Sequence, residues 1–355
     1  MIIALSEASV RCGPKAANLG RLLRAGFAVP DGFVITDPGA PGLARELAPA
    51  LLALGGGPFA VRSSAPGEDG QAASFAGQLH TTLHAADPVQ VATAVRRCAV
   101  SADSPHAAAY AARTGHVASM PRVIVQIMVD PEAAGVAFTR HPVTGADQVV
   151  IEATAGLGDR LVDGAVTPQR WILDRRETTG PQGDGVLTPK QAHDLAGLAQ
   201  RVEDLFGGPQ DIEWALADGS IWVLQARPIT TTPRSAPPAA PSGRLLVSGT
   251  AASPGTATGP VRVITSPDDF DRFTPGAVLV CRTTSPAWTP LLARAAAVVT
   301  ETGGMLAHAA IVAREFSIPA VLAAPNATTL LTPGQAVTVD GARGTVTAAH
   351  EKEPR

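Results

Sequence analysis

One histidine in this chain stands where two glycines hand over to a helical pattern. The run is Thr302-Gly303-Gly304-Met305-Leu306-Ala307-His308-Ala309-Ala310-Ile311-Val312-Ala313-Arg314-Glu315. Unpaired backbone N–H groups and the positive end of a helix dipole collect at such a start. They disfavour imidazolium, keep the ring nucleophilic, and suit a phosphate placed on it. A second group of residues suits phosphate in another way. Only Lys15, Lys190 and Lys352 are lysines, and Lys15 follows a Gly13-Pro14 turn at the head of a helical run. There it can meet polyphosphate as a point charge. Phe59-Ala60-Val61-Arg62-Ser63-Ser64 is a β run ending in a guanidinium and two hydroxyls. Ala73-Ser74-Phe75-Ala76-Gly77-Gln78-Leu79-His80-Thr81-Thr82 is a small-residue loop able to close over phosphates with N–H and hydroxyl donors.

These groups need elements to hold them. Ala295-Ala296-Ala297-Val298-Val299-Thr300 reads as a buried strand before the glycines, and Ile318-Pro319-Ala320-Val321-Leu322 as the strand after the helix. His308 is thus expected in the first turn of a helix within a strand–Gly-Gly–helix–strand unit. Further short β runs, Gly259–Ile264 and Ala277–Val280, place this unit in a compact β/α domain. Thr230 to Gly243, rich in Pro, Ala and Ser, reads as a semi-stiff linker. Ahead of it lies a longer stretch of mixed helices and strands. The expected organisation is a domain over 1–230, a linker over 231–244 and a domain over 245–350.

Composition narrows the classes. An apolar fraction of 45% across 355 residues is ample for two or three domains. A net charge of −3 without basic blocks argues against nucleic acid as a partner. No apolar run is long enough to span a bilayer, and the N-terminus lacks the pattern of a signal peptide. Three scattered cysteines, Cys12, Cys98 and Cys281, form no metal or disulfide pattern, so a cytoplasmic location is expected. His80, His84, His106, His116 and His193 lack metal-ligand spacing and read as ordinary polar residues.

The Thr302–Glu315 run, with Trp288-Thr289-Pro290-Leu291 upstream, closely resembles the phosphohistidine swivelling domain of pyruvate phosphate dikinase, phosphoenolpyruvate synthase and rifampin phosphotransferase. The first half resembles the ATP-grasp domain of the same family, with its segments in order. They are the Lys15 motif, Val61-Arg62-Ser63-Ser64, Ser74-Phe75-Ala76-Gly77-Gln78, Val123–Val129, Gly135–Gly145, Gly156-Leu157-Gly158, Asp211-Ile212-Glu213-Trp214 and Gln225-Ala226-Arg227. The implied fold class is α+β and α/β multidomain, an ATP-grasp nucleotide-binding domain followed by a β/α phosphohistidine swivel domain.

The resemblance also implies roles. ATP and Mg²⁺ are the cofactors. Lys15 and Arg62 balance phosphate charge, Gln126 lies near the nucleotide, and Glu213 and Gln225 hold Mg²⁺, which favours oxygen ligands. Arg227, two residues past Gln225 on the same strand face, stabilises the transferring phosphoryl group. Ser64, Gln78, Thr81 and Thr82 are secondary nucleotide contacts. His308 takes the β-phosphate of ATP and passes it to an acceptor, with AMP and phosphate as co-products. Three departures stand out. Ala307 occupies a position where the family usually has Thr, Ser or Cys, which removes a hydroxyl beside the ring. His141 falls where the family often has Asp or Asn. The insert between Val34 and Ala60 is short. No acceptor domain is recognisable after the histidine domain. The acceptor is therefore expected to be a small alcohol, phenol or enolate, or to sit on a separate subunit. The competing readings are a phosphocarrier that serves a partner protein and a degenerate ATP-binding module.

Overall fold

The structure is a computed structural model that describes residues 1–65, 80–101, 121–174, 178–182, 185–229 and 243–349. The chain forms two compact units that interleave along the sequence. The first holds residues 1–139, 149–158 and 186–230. The second holds 140–148, 159–185 and 231–355. The expected linker falls almost entirely outside the described residues, as does the Ser74–Gln78 loop.

The first unit contains two antiparallel sheets. One has five strands in the order Ile2–Ala4, Gly32–Ile35, Arg122–Ile127, Phe59–Ser64 and Thr81–Ala85. Its central strands are largely buried and carry an apolar row toward the helices. Phe33, Ile35, Val61, Val123 and Val125 pack under helices Leu43–Ala53 and Pro88–Val100 through Leu47, Leu51, Val91, Val95 and Cys98. Asp87 caps the second helix, its carboxylate accepting from the Val89 and Gln90 N–H groups, which satisfies donors that the helix start leaves open. In the other sheet, strands Ser220–Pro228, Gln210–Ala217, Ala133–Phe138 and Val149–Ala155 are antiparallel neighbours in that order. Helix Pro189–Phe206, opened by a Thr188/Gln191 capping box, packs on the last three of these strands.

The second unit is built on an eight-stranded sheet. Four neighbouring strands, Thr256–Val263, Val278–Cys281, Ala297–Thr300 and Ala320–Leu322, run parallel. The last three of these are buried at every position and mostly β-branched or small, as a covered parallel sheet requires. Helix His308–Phe316 is the crossover between the last two parallel strands. The strand–Gly-Gly–helix–strand expectation is realised, with His308 as the first helical residue and Ala307 at the cap. The loops after Cys281 and Thr300 therefore meet outside the carboxyl ends of adjacent parallel strands, where open α/β sheets place their functional groups.

Candidate functional site

In the nucleotide half, the strand hairpin Gln210–Ala217/Ser220–Pro228 sets the geometry. Its register pairs Glu213 with Gln225 and Asp211 with Arg227. Residues directly opposite across an antiparallel pair share a face, and so do positions two apart on one strand. All four side chains therefore project to the same side. A bulge follows Glu213: Glu213 pairs Gln225 and Trp214 pairs Val223, so Leu224 has no partner in this register. The Leu224 carbonyl instead accepts from the Arg62 guanidinium at 3.0 Å. A second Arg62 nitrogen lies 3.9 Å from a Glu213 carboxylate oxygen. The extra residue thus turns a ladder carbonyl toward a side chain, as bulges beside functional sites do.

Arg227 is buried, and its Nε donates to Asp211 at 2.9 Å. The carboxylate fixes the guanidinium in place, since removing one partner of a buried pair strands the other charge. Gln126 is buried, and its amide donates to the Pro30 carbonyl at 2.9 Å. Lys15 is the second residue of helix Pro14–Arg24 and is largely buried. Ser64 is fully enclosed: its hydroxyl donates to the Cys12 carbonyl at 2.9 Å and accepts from the Ala16 N–H at 3.2 Å. This hydroxyl ties the turn that carries Lys15 to the strand that carries Arg62. The turn needs glycine. Gly13 has φ +86°, and a Cβ there would come within 2.4 Å of the Ser64 Oγ and 2.6 Å of its carbonyl oxygen. Asn18, one helical turn beyond Lys15, donates to the Ala226 carbonyl at 2.8 Å, between Gln225 and Arg227. Thr81 pairs with Arg62 across the first sheet and is exposed. Thr82 hydrogen-bonds His80 at 3.0 Å. Gln78 lies outside the described residues.

One acidic residue escaped the sequence reading. Glu152 is fully buried on strand Val149–Ala155 and pairs with Val136, which pairs with Glu213. Glu152, Glu213 and Gln225 therefore occupy one cross-strand row on one face. The signal was present: a lone carboxylate in the apolar run Val149-Val150-Ile151-Glu152-Ala153. The donor set of the row is two carboxylates and an amide, all oxygen donors, which fits a hard cation such as Mg²⁺.

In the histidine half, the His308 ring is buried between two hydroxyls. Thr284 Oγ1 lies 2.9 Å from Nδ1, and Thr289 Oγ1 lies 3.2 Å from Nε2. Thr289 has one hydroxyl proton, which goes to the Pro286 carbonyl at 2.8 Å. Its oxygen can then only accept, so Nε2 carries the proton in the neutral ring and Nδ1 accepts from Thr284. The hydroxyl missing at Ala307 is thus replaced by two from the segment that follows strand Val278–Cys281. Arg314, on the same helix, donates to the Met305 carbonyl at 2.8 Å and to the Ala252 carbonyl at 3.0 Å. It braces the glycine loop from the helix that the loop launches. His141 Nδ1 accepts from the Val143 and Thr144 N–H groups at 3.2 and 3.3 Å. It stands in for the Asx-type side chain that the family resemblance leads one to expect there.

A polar sheet face beside a lysine turn and a histidine at a parallel-sheet crossover, on one chain, suit a nucleotide-binding protein with a separate histidine domain. Comparison with known families gives the same result. Residues 40–183 and 176–244 match the pyruvate phosphate dikinase AMP/ATP-binding domain, and residues 273–344 match the mobile domain of PEP-utilising enzymes. The chain belongs to this family. It is 39% identical to a probable phosphoenolpyruvate synthase of Archaeoglobus fulgidus, over 81% of this chain and 43% of that protein. It is 34% identical to a probable phosphoenolpyruvate synthase of Methanothermobacter thermautotrophicus, over 94% of this chain and 61% of that protein. It is 38% identical to the prodigiosin synthesizing transferase PigC of Serratia marcescens, over 62% of this chain and 32% of that protein. The chain thus spans about half the length of the curated relatives it matches. Among the described residues, no helix is long and apolar enough to cross a membrane.

Proposed function

We propose that this chain is an ATP-dependent phosphotransferase of dikinase type, in which His308 carries the phosphoryl group. The observation that carries this reading is the His308 ring, buried at a helix start and held at both nitrogens by Thr284 and Thr289. A ring fixed in this way is oriented before it reacts. Lys15 and Arg62 bind the polyphosphate of ATP. Arg227, held by Asp211, presents its guanidinium to charge developing on the transferred group. Glu152, Glu213 and Gln225 would hold Mg²⁺, which would neutralise phosphate charge.

In the first half-reaction the unprotonated ring nitrogen forms a bond to the β-phosphorus. AMP departs with the α–β bridging oxygen, and water opens the β–γ bridge to release inorganic phosphate. In the second, the N–P bond breaks as an acceptor oxygen takes the phosphoryl group. A covalent carrier divides one difficult transfer into two. The acceptor is a small alcohol, phenol or enolate. Relatives named phosphoenolpyruvate synthase support an enolate, and the relative named prodigiosin synthesizing transferase supports the transferase reading. The three cysteines are buried and form no disulfide with one another, which suits a reducing cytoplasm.

Autophosphorylation with ATP labelled at the β or the γ position, on wild type and His308→Ala, tests the reading. Acid-labile label from the β position, AMP release and loss of both in the variant are expected. Label from the γ position, or ADP as the product, refutes it.

A further inference from the structure

The loop that launches His308 does not rest on its own sheet alone. The second compact unit includes residues 159–185, which by sequence belong to the nucleotide half, since the AMP/ATP-binding match runs through them. The short helix Asp159–Val162 ends in a turn at Asp163 and Gly164. Thr302, the first residue of the Gly-Gly motif, donates to the Gly164 carbonyl at 2.7 Å. Thr283, next to the ring-holding Thr284, shares its single hydroxyl proton between the Asp163 and Gly164 carbonyls, each at 3.1 Å. Two loops that build the histidine site thus converge on a single carbonyl.

Packing at this point leaves no spare room. Gly164 has φ +65°, and a Cβ on it would meet Thr283 Oγ1 at 3.0 Å and the Ala307 Cβ at 3.2 Å. A Cβ on Gly303 would lie 3.1 Å from the same Ala307 methyl and 3.7 Å from the Gly164 Cα. Gly164, Gly303 and Ala307 therefore form a contact that only small residues allow. Ala307 is the residue that departs from the family pattern, and here its small side chain faces a partner.

We propose that the Asp163–Gly164 turn is the seat of the histidine loop, and that Thr283 and Thr302 are positioning residues that hold His308 on it. Seating fixes the loop that carries His308, and losing the two hydroxyl donors, one proton each, frees it. This rests on the phosphotransfer reading above only for its catalytic consequence. The contact itself is tested independently.

The test compares wild type with Thr283→Val/Thr302→Val, a pair that keeps side-chain shape and removes both donors. Hydrogen–deuterium exchange is followed for peptides covering 159–165 and 302–308. Both peptides are expected to exchange faster together by about tenfold or more, given the modest strength of each lost bond. Thr283→Ser/Thr302→Ser is expected to restore protection. Unchanged exchange, or a change confined to 302–308, overturns the seat. In the same proteins the rate of His308 labelling by β-labelled ATP is expected to fall about tenfold in the valine pair, with ATP affinity and melting temperature near those of wild type. Labelling at the wild-type rate overturns the positioning role. If wild type takes no label, the phosphotransfer reading fails, while the exchange data still decide the seat.

Discussion

His141 is expected to make the second unit acid-sensitive, and the size of the effect can be worked out. Burial, with the nearby Arg170 guanidinium next in weight, lowers its pKa from 6.5 to about 4. Its Nδ1 accepts two backbone N–H groups, an arrangement that a proton on that nitrogen would destroy. The folded state therefore refuses a proton that the unfolded chain accepts below pH 6.5. A folded pKa below the unfolded one contributes stability that is present above pH 6.5 and is lost as the pH falls toward about 4. The gap between these values corresponds to about 3 kcal/mol, and partial solvent contact reduces this to about 2 kcal/mol. Asp163 works in the opposite direction. Burial and the neighbouring Asp159 raise its pKa, so the folded state binds that proton first and gains stability on acidification. The term is common to wild type and variant and cancels in the comparison. His141→Asn keeps an acceptor for the same N–H groups and does not titrate. Urea unfolding of both proteins at about pH 7 and about pH 4.5 is the assay. Wild type is expected to lose about 2 kcal/mol more than the variant between the two conditions. Parallel losses would refute the reasoning.

Other expectations follow from the same geometry. Thr284→Val and Thr289→Val each remove one hydroxyl from the His308 ring; each is expected to slow His308 labelling about tenfold with little change in ATP affinity, as read by single-turnover labelling and nucleotide titration. Asp211→Asn removes the carboxylate charge that pairs with buried Arg227 at 2.9 Å. A loss of about 3–5 kcal/mol in the stability of the first unit, measured by chemical denaturation, is expected together with impaired labelling.

Much of this protein could be read before any fold was known, because the chemistry lies in short continuous segments. The Gly-Gly run, the apolar strand before it and the helical spacing after it placed His308 at a helix start, and backbone geometry requires that outcome locally. Alternation in Asp211-Ile212-Glu213 and Gln225-Ala226-Arg227 put paired polar side chains on one strand face for the same reason. Ser64 marks the limit of such reading. In the fold its hydroxyl joins the Cys12 carbonyl and the Ala16 N–H, 52 and 48 residues away, and no local pattern announces either partner. Glu152 shows the converse, since a lone carboxylate in an apolar strand has no visible purpose until strand order sets it in a row with Glu213 and Gln225.

By itself the sequence determined what depends on neighbours along the chain: the helix start under His308, the strand periodicities, the glycine turn before Lys15 and the family to which the chain belongs. Tertiary structure alone decided which distant groups meet. Thr284 and Thr289 reach the ring from the loop and helix after a neighbouring parallel strand, 24 and 19 residues away. The Leu224 carbonyl turns toward Arg62, 162 residues away, because a bulge removes it from the ladder. Thr302 reaches Gly164 across 138 residues. Local propensity carries no information about such pairs, because strand order and register set them, and those follow from how the whole apolar surface is buried.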